Sequence, residues 1–544
     1  MSSSVLSMSE GISGAATGRA AQSCRQCRRL KRRCPRELPS CSLCVRLGKK
    51  CQFPAGRKPY GSPGDEADEP LVSPHMSQLN STPSTTSGVS GDLAAAPGFP
   101  DTFFLDTEDF QPISHDKLYC TAAVPQYVSE LLGLDAPLVC ERYFDTVDLW
   151  FPFVSRKKLR QDLEFGVSAD MASLLLCMKL ATEVPFNNFL SADASPTYEA
   201  ARRYATTLEV TFPMSLRVLQ SLVLIATYEV GHGIFPTAYL TVGRAARLGL
   251  LRGVHDRKNV TQIFQTPPTW THWEEERRTW WAITILERYM NLGPKGLALA
   301  TPEPVQGELL PASDADWFRG ALGTSQPLFT MGFSTDSEVG PFARVCQASH
   351  ILGRVLSHRN SKRDGMLPQG ILDEAAQLDA TLTALDAHLA QASADTASTV
   401  DVALCTVARL NLFQGYACIQ PGAVGERLPA ESEMQKTSVR GLKQIIAVRA
   451  PTLALTVLQQ GAQTSDGLSP LLIQVLYDIA TECQWLIREG EIVEGADTTL
   501  SLAADALKLL SQRWSVAEKC LNKDMNTRLL RRGSVESASS YIRS

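Results

Sequence analysis

Six cysteines constrain the chain more than any other feature. They stand at Cys24, Cys27, Cys34, Cys41, Cys44 and Cys51, spaced C-x2-C-x6-C, then six residues, then C-x2-C-x6-C again. Such a repeat describes one pseudo-symmetric object. The segment "CRQCRRLKRRC" that opens it is too charged to fold on its own side chains, so an outside staple is required. Three disulfides would need an oxidising compartment, and the N-terminal residues "MSSSVLSMSEGISGAATGRAAQ" contain no apolar run of the kind that opens a secreted chain. The expectation is a reducing compartment and a metal.

Zinc takes four thiolates in a tetrahedron. Two separate tetrahedra need eight ligands, so six cysteines fill two only if two sulfurs are shared. A structural zinc site without nucleic-acid contact and an iron–sulfur site are the rival readings, and the second leaves the repeat unexplained. Charge favours a polyanionic partner. Cys24 to Lys58 holds twelve Lys plus Arg against one acid, Glu37, whereas the whole chain has a formal charge of −4. A basic footprint confined to so small a module suits phosphates that release counterions on contact. "RRLKRR" fills the first x6 gap and "VRLGKK" the second, so the first half is expected to face DNA, with Val45 and Leu47 packing behind it.

With its basic run and with Pro39 two residues before the fourth cysteine, this stretch resembles the fungal binuclear zinc cluster family of transcription factors. The resemblance implies two zinc ions bridged by Cys24 and Cys41, with Cys27 and Cys34 completing one site and Cys44 and Cys51 the other. It also implies that Lys31, four positions after the second cysteine, reads bases of CGG-type triplets in double-stranded DNA. Leu30 stands where the family is usually basic, so that base contact is either missing or supplied by Arg32, and base readout is expected of Lys31 alone. Arg28, Arg29 and Arg33 are expected on phosphates. The same run, with Lys49, Lys50, Arg57 and Lys58, reads as a nuclear import signal.

Residues 59–100 change character abruptly, with seven Pro, five Gly, seven Ser and three Thr, five acids and no Lys or Arg. That composition predicts a disordered linker without the apolar heptad of a coiled coil. A homodimer, if formed, is expected to use another surface. Within 59–117, "FPDTFFLDTEDFQPISHD" alternates acids with aromatic residues. It reads either as an acidic activation segment for a coactivator or as a segment whose Phe103, Phe104 and Phe110 dock on the helical domain. The second is preferred, because phenylalanines so dense seek the nearest core.

From 118 to 520 the chain is expected to be a large all-helical regulatory domain, flanked by a disordered N-terminus (1–20) and a flexible tail (521–544). "LRVLQSLVLIATYEVG" is apolar nearly all round, as buried helices are. "TAYLTVGRAARLGLL" offers Gly243, Ala245, Ala246 and Gly249 to a neighbouring helix. "EEERRTWWAITILERYMNLG" opens with acids and ends at a glycine. No apolar run reaches the length that spans a bilayer, so no membrane is expected. "YFDTVDLWFPFVSRKKL", "YLTVGRAARLGLLRGVH" and "ERRTWWAITILERYMNLGPKG" resemble the middle homology domain that accompanies the cluster in this family, regulatory in relatives. Glu287 replaces the usual Asp, and "GPKG" departs from Gly-Arg-Pro.

An enzyme with a zinc appendage is the distant alternative. H-E-x-x-H, G-x-S-x-G, a Walker loop and G-x-G-x-x-G after a strand are all absent. His232, His255 and His272 are expected as core or helix-end residues, and Cys120, Cys140, Cys177, Cys346, Cys405, Cys418, Cys483 and Cys520 as free thiols. The expected function is a nuclear, zinc-dependent, sequence-specific regulator at RNA polymerase II promoters. An activator of a biosynthetic cluster or metabolic pathway is preferred to a repressor.

Overall fold

The computed structural model describes residues 20–53 except 21, 30–32 and 47, residues 103–114 except 108 and 109, and residues 122–523 except 134–135, 185–190, 294, 329–338, 363–368, 392–398, 418–428, 464 and 491–492. The chain divides into two compact units, within 1–89 and 90–544. Among the described residues there is no strand, only isolated bridges.

In the first unit two short helices, α1 (Arg25–Arg29) and α2 (Ser42–Arg46), each start one residue after the first cysteine of a C-x2-C pair. The sequence repeat becomes a bonding repeat. Cys24 N–H donates to Cys34 Sγ (3.5 Å), and Cys41 N–H to Cys51 Sγ (3.3 Å). Gly48, at φ 61°, ends α2 by letting Lys49 N–H reach back to the Cys44 carbonyl, a turn that a side chain disfavours. Leu43 and Phe53 pack partly against the cysteines. Val45, expected behind the first half, is instead 66% exposed. It follows the inward-facing Cys44 on a helix, where successive side chains diverge by about 100°. Leu47 lies outside the described residues.

The second unit is built on sixteen further helices among the described residues. The first group is α3 (Gln126–Leu132), α4 (Ala136–Phe144), α5 (Arg156–Glu164), α6 (Ala169–Thr182), α7 (Pro196–Thr211), α8 (Leu216–His232), α9 (Thr237–Arg252) and α10 (Trp270–Met290). The second is α11 (Asp314–Arg319), α12 (Pro341–Ser361), α13 (Gln369–Gln391), α14 (Thr399–Ala417), α15 (Pro429–Gln444), α16 (Ala450–Gln463), α17 (Ile473–Arg488) and α18 (Ala496–Ser511). One continuous apolar core runs through them from Val128 to Ala517. α8 is buried along nearly its whole length, as its composition requires. α15 and α16 join through a π turn at Ile445–Arg449 into a 35-residue helix that contains an 18-residue stretch of mean hydropathy 1.3, long and apolar enough to suit a bilayer. Its Leu442, Ile445, Ile446, Leu453 and Val457 are buried in the core, where α14 and α18 pack against it.

α10 opens at Trp270, earlier than the acids at 274–276 suggest. Pro267 and Pro268 precede it, and the Thr269 side chain caps it by accepting from His272 N–H. The acids therefore lie a turn inside, where they are buried and paired. Glu274 accepts from Arg277 and Arg278, Glu275 from Lys158, and Glu276 from Arg252 and Arg257. Arg278, fully buried, also donates to Asp314 and to the carbonyls of Pro152 and Ala312. Of the small residues on α9, Gly249 gives close approach, since a Cβ there would lie 2.8 Å from Trp280. Gly243 faces open space.

The segment expected inside the linker is packed on this unit where it is described. Phe103 and Phe110 meet edge to face (5.7 Å) and, with Ile113 and Leu251, pack against buried Met214, Ile263 and Phe264. Phe104 does not dock; it is 78% exposed.

Candidate metal centre and nucleic-acid interface

The six sulfurs converge into two quartets, Cys24, Cys27, Cys34, Cys41 and Cys24, Cys41, Cys44, Cys51, with the sulfurs of each within 4.8 Å of one another. Cys24 and Cys41 belong to both. Their Sγ atoms are 3.7 Å apart, and Cys24–Cys44, Cys27–Cys41 and Cys27–Cys44 lie at 3.6, 3.5 and 3.8 Å. A zinc–sulfur bond of about 2.3 Å sets a tetrahedral edge of about 3.8 Å, so the Cys24–Cys41, Cys24–Cys44 and Cys27–Cys41 spacings, each within one quartet, fit thiolates sharing a metal, whereas Cys27 and Cys44 share no quartet. A disulfide needs about 2.05 Å, and all six cysteines are free.

Burial raises Cys27 and pushes Cys44 up to about 12, and neighbouring sulfurs add to both. Cys24 and Cys41 are lowered despite burial, because the N–H groups of Cys27 and Cys44 and adjacent sulfurs donate to them. The sulfurs best supplied with donors are thus the two common to both quartets. Thiolate character at Cys27 and Cys44 would have to come from a bound cation.

Around the cluster the basic side chains among the described residues are exposed. Arg28 is exposed on α1, where it donates to Gln22 (2.9 Å), and Arg33 is exposed beside Cys34. Lys49 and Lys50 are exposed after α2. Lys31, Leu30 and Arg32 lie outside the described residues, as does the side chain of Arg29. Arg25 and Arg46 are further exposed cations, in the first turn of α1 and the last residue of α2. The charge count included them, but no motif position singled them out.

Residues 22–60 match the fungal Zn(2)-Cys(6) binuclear cluster domain, and residues 140–357 match the fungal specific transcription factor domain. A Botryotinia fuckeliana protein named transcription factor BOA15 is 32% identical over 179 residues, which cover 32% of this chain and 98% of the relative. The chain belongs to the fungal zinc cluster transcription factors. Further relatives are the pigment biosynthesis transcriptional activator pigB of Monascus ruber, 26% identical over 62% of this chain and 63% of its own length, and the citrinin biosynthesis transcriptional activator mrl3 of the same species, 26% identical over 63% and 73%. No solved structure matches the chain. The family is one of zinc-binding transcription factors and not of enzymes.

In this zinc cluster factor the matched helical domain runs from α4 to near the end of α12 and buries several charged residues. Glu287 and Arg288 bond each other and Thr301, and a Cβ at Gly353 would lie 2.4 Å from the Arg288 guanidinium. His232 is buried beside Ser515 Oγ (2.8 Å), and burial lowers it to about 3. Cys140, Cys177, Cys346, Cys405 and Cys483 are buried free thiols and Cys520 is half-buried; Cys120 and Cys418 lie outside the described residues. A cavity of about 410 Å³ opens between α9 and the end of α10, over Gly243, with Arg247, Leu251 and Met290 in its wall.

Proposed function

We propose that this chain is a nuclear, sequence-specific DNA-binding activator controlling a biosynthetic gene cluster or metabolic pathway in a fungus. The carrying observation is the pair of sulfur quartets sharing Cys24 and Cys41. In this reading two zinc ions are held by Cys24, Cys27, Cys34, Cys41, Cys44 and Cys51, and the metal supplies the folding free energy that so charged a module lacks. Arg28, Arg29 and Arg33 hold phosphates, while Lys31, with Arg32 beside it, reads CGG-type triplets. The relatives named as activators of pigment and citrinin biosynthesis support the pathway role. The modules follow as 21–58 for DNA, 59–117 as connection and coactivator contact, and 118–520 as the regulatory domain. Dimerisation, where it occurs, uses a surface other than a coiled coil after the cluster.

The test joins metal to DNA. Full-length protein should carry two zinc ions by native mass spectrometry and retard a CGG-containing duplex over a scrambled one. Removal of zinc with a strong chelator should abolish both, and retained selective binding without zinc would refute the proposal.

A further inference from the structure

The groove that receives Phe103 and Phe110 stands without them. Its floor joins three separated pieces of chain: Met214 between α7 and α8, Leu251 near the end of α9, and Ile263–Phe264 in the loop before α10. Arg252, itself buried, ties them together. It donates to the Met214 carbonyl and to Glu276, and its guanidinium lies 4.7 Å from the centre of the Phe264 ring. Glu276 is in turn paired with Arg257. None of these ties involves the docked segment.

The segment also meets the groove through its backbone. Ile113 N–H donates to the Ile263 carbonyl (2.8 Å) and Gln265 N–H to the Ile113 carbonyl (3.0 Å), a parallel bridge between Ile113 and Phe264. Phe103, Phe110 and Ile113 are only half-buried. The groove takes part of the apolar content and leaves Phe104 and Leu105 outside, 78% and 86% exposed. A peptide added to a strand edge, with alternate side chains in pockets, is a common mode of exchangeable recognition.

We infer that this groove is a docking surface for Phe103, Phe110 and Ile113 of the same chain, and that docking there withholds the segment from its transcriptional partner. The inference rests on the reading that this acidic, aromatic segment contacts a coactivator. Engaging an apolar groove on a coactivator needs Phe103 and Phe110 as well as the outward Phe104 and Leu105. Because the first two cannot occupy both grooves, the two engagements exclude each other. Apparent affinity for the partner then scales with the undocked fraction, so nine-tenths docking weakens it about tenfold.

Two substitutions release the segment without altering its phenylalanines. Ile113→Pro removes the amide that donates to Ile263, and Gln265→Pro removes the opposing donor from the groove side. Each is made in the full chain, tethered through an unrelated DNA-binding domain beside a reporter, and amide exchange across 103–114 is followed by mass spectrometry on the same proteins. The expected result is protection at 113 and 265 in the wild type, its loss at 265 in Ile113→Pro and at 113 in Gln265→Pro, and reporter output raised about tenfold in both. That gain should vanish when Phe103, Phe104 and Phe110 are also made alanine. Protection lost with unchanged output, or no protection in the wild type, overturns the docking proposal. A separate fusion of residues 96–117 alone tests the underlying reading: if it is silent, the coactivator role fails and the proposal falls with it, whatever the exchange data say.

Discussion

Lys31 and Arg33 stand within three residues of each other in a run where every cation could serve the same phosphate. The proposed roles separate by what each mutation spares. Lys31→Ala should cost about 1–3 kcal/mol of discrimination between a CGG site and a mismatched one, whereas Arg33→Ala should weaken binding to all duplexes alike and flatten the salt dependence. Titrating both variants against matched and random duplexes at two salt concentrations decides it; equal losses on both duplexes for Lys31→Ala would make it a phosphate contact. The sulfurs divide similarly. Because Cys24 and Cys41 belong to both quartets, replacing either should disturb both metals, while Cys27→Ala should chiefly release one, read as zinc stoichiometry by native mass spectrometry. The cluster was legible in the sequence because its geometry is local: spacing alone brings the six sulfurs together. Val45 was misplaced for the complementary reason, since in a five-residue helix one step decides between inside and outside.

Among the elements, α10 is where sequence pattern and structure part most usefully. Its sequence shows a wide apolar face of Trp280, Trp281, Ile285 and Tyr289, of which the first three are buried and Tyr289 half-buried, but Ile283 and Leu286 on its other sides are buried as well. Its acids look like ordinary first-turn charges, but each is buried and finds a cation. The partners of Glu275 and Arg278, at Lys158 and Asp314, come from other elements, and no periodicity within α10 reveals them. Removing one member leaves the rest buried and uncompensated. Arg278→Met should therefore destabilise the helical unit by about 3–5 kcal/mol in urea titrations. A loss below 1 kcal/mol would mean that water replaces the guanidinium. α8 contributes a pH dependence. His232, lowered to about 3 by burial first and then by the nearby Arg513 and Lys519, stays neutral in the folded unit while an unfolded histidine titrates near 6.5. Between those values the unfolded state binds the extra proton, so stability rises with pH across this window and is lost as pH falls from 6.5 towards 3. His232→Gln should flatten that slope in thermal melts from pH 4 to 7, and an unchanged slope would assign it to other groups.

At the scale of the whole helical unit, the matched domain ends at residue 357, but the fold does not. α12 packs on α14, α14 on α17, and α17 and α16 on α18, all in one core with the matched helices. After α18 the chain returns to where the unit began. Trp514 lies against α8 so closely that a Cβ at Gly231 would sit 2.2 Å from its ring, and its indole N–H donates to the Leu468 carbonyl. Arg513 reaches the Ala181 carbonyl at the end of α6. A lone glycine in an apolar helix looks like a mere weak point. Its partner lies 283 residues onward, so only the assembled fold shows why that position is bare. The closure makes residues 358–523 part of the same cooperative unit, not an appended module. A chain ending at 357 would expose the face of α12 that α14 covers and the face of α8 that Trp514 covers, and should be recovered as aggregate. Within the intact chain, Trp514→Ala should cost about 3–5 kcal/mol through the cavity it leaves. Gly231→Val should destabilise by overpacking against the same ring, and combining it with Trp514→Ala should recover part of the loss by filling the vacated space. Thermal melts of the two single variants and the double variant measure that coupling; strictly additive losses would show that the ring and the glycine do not meet.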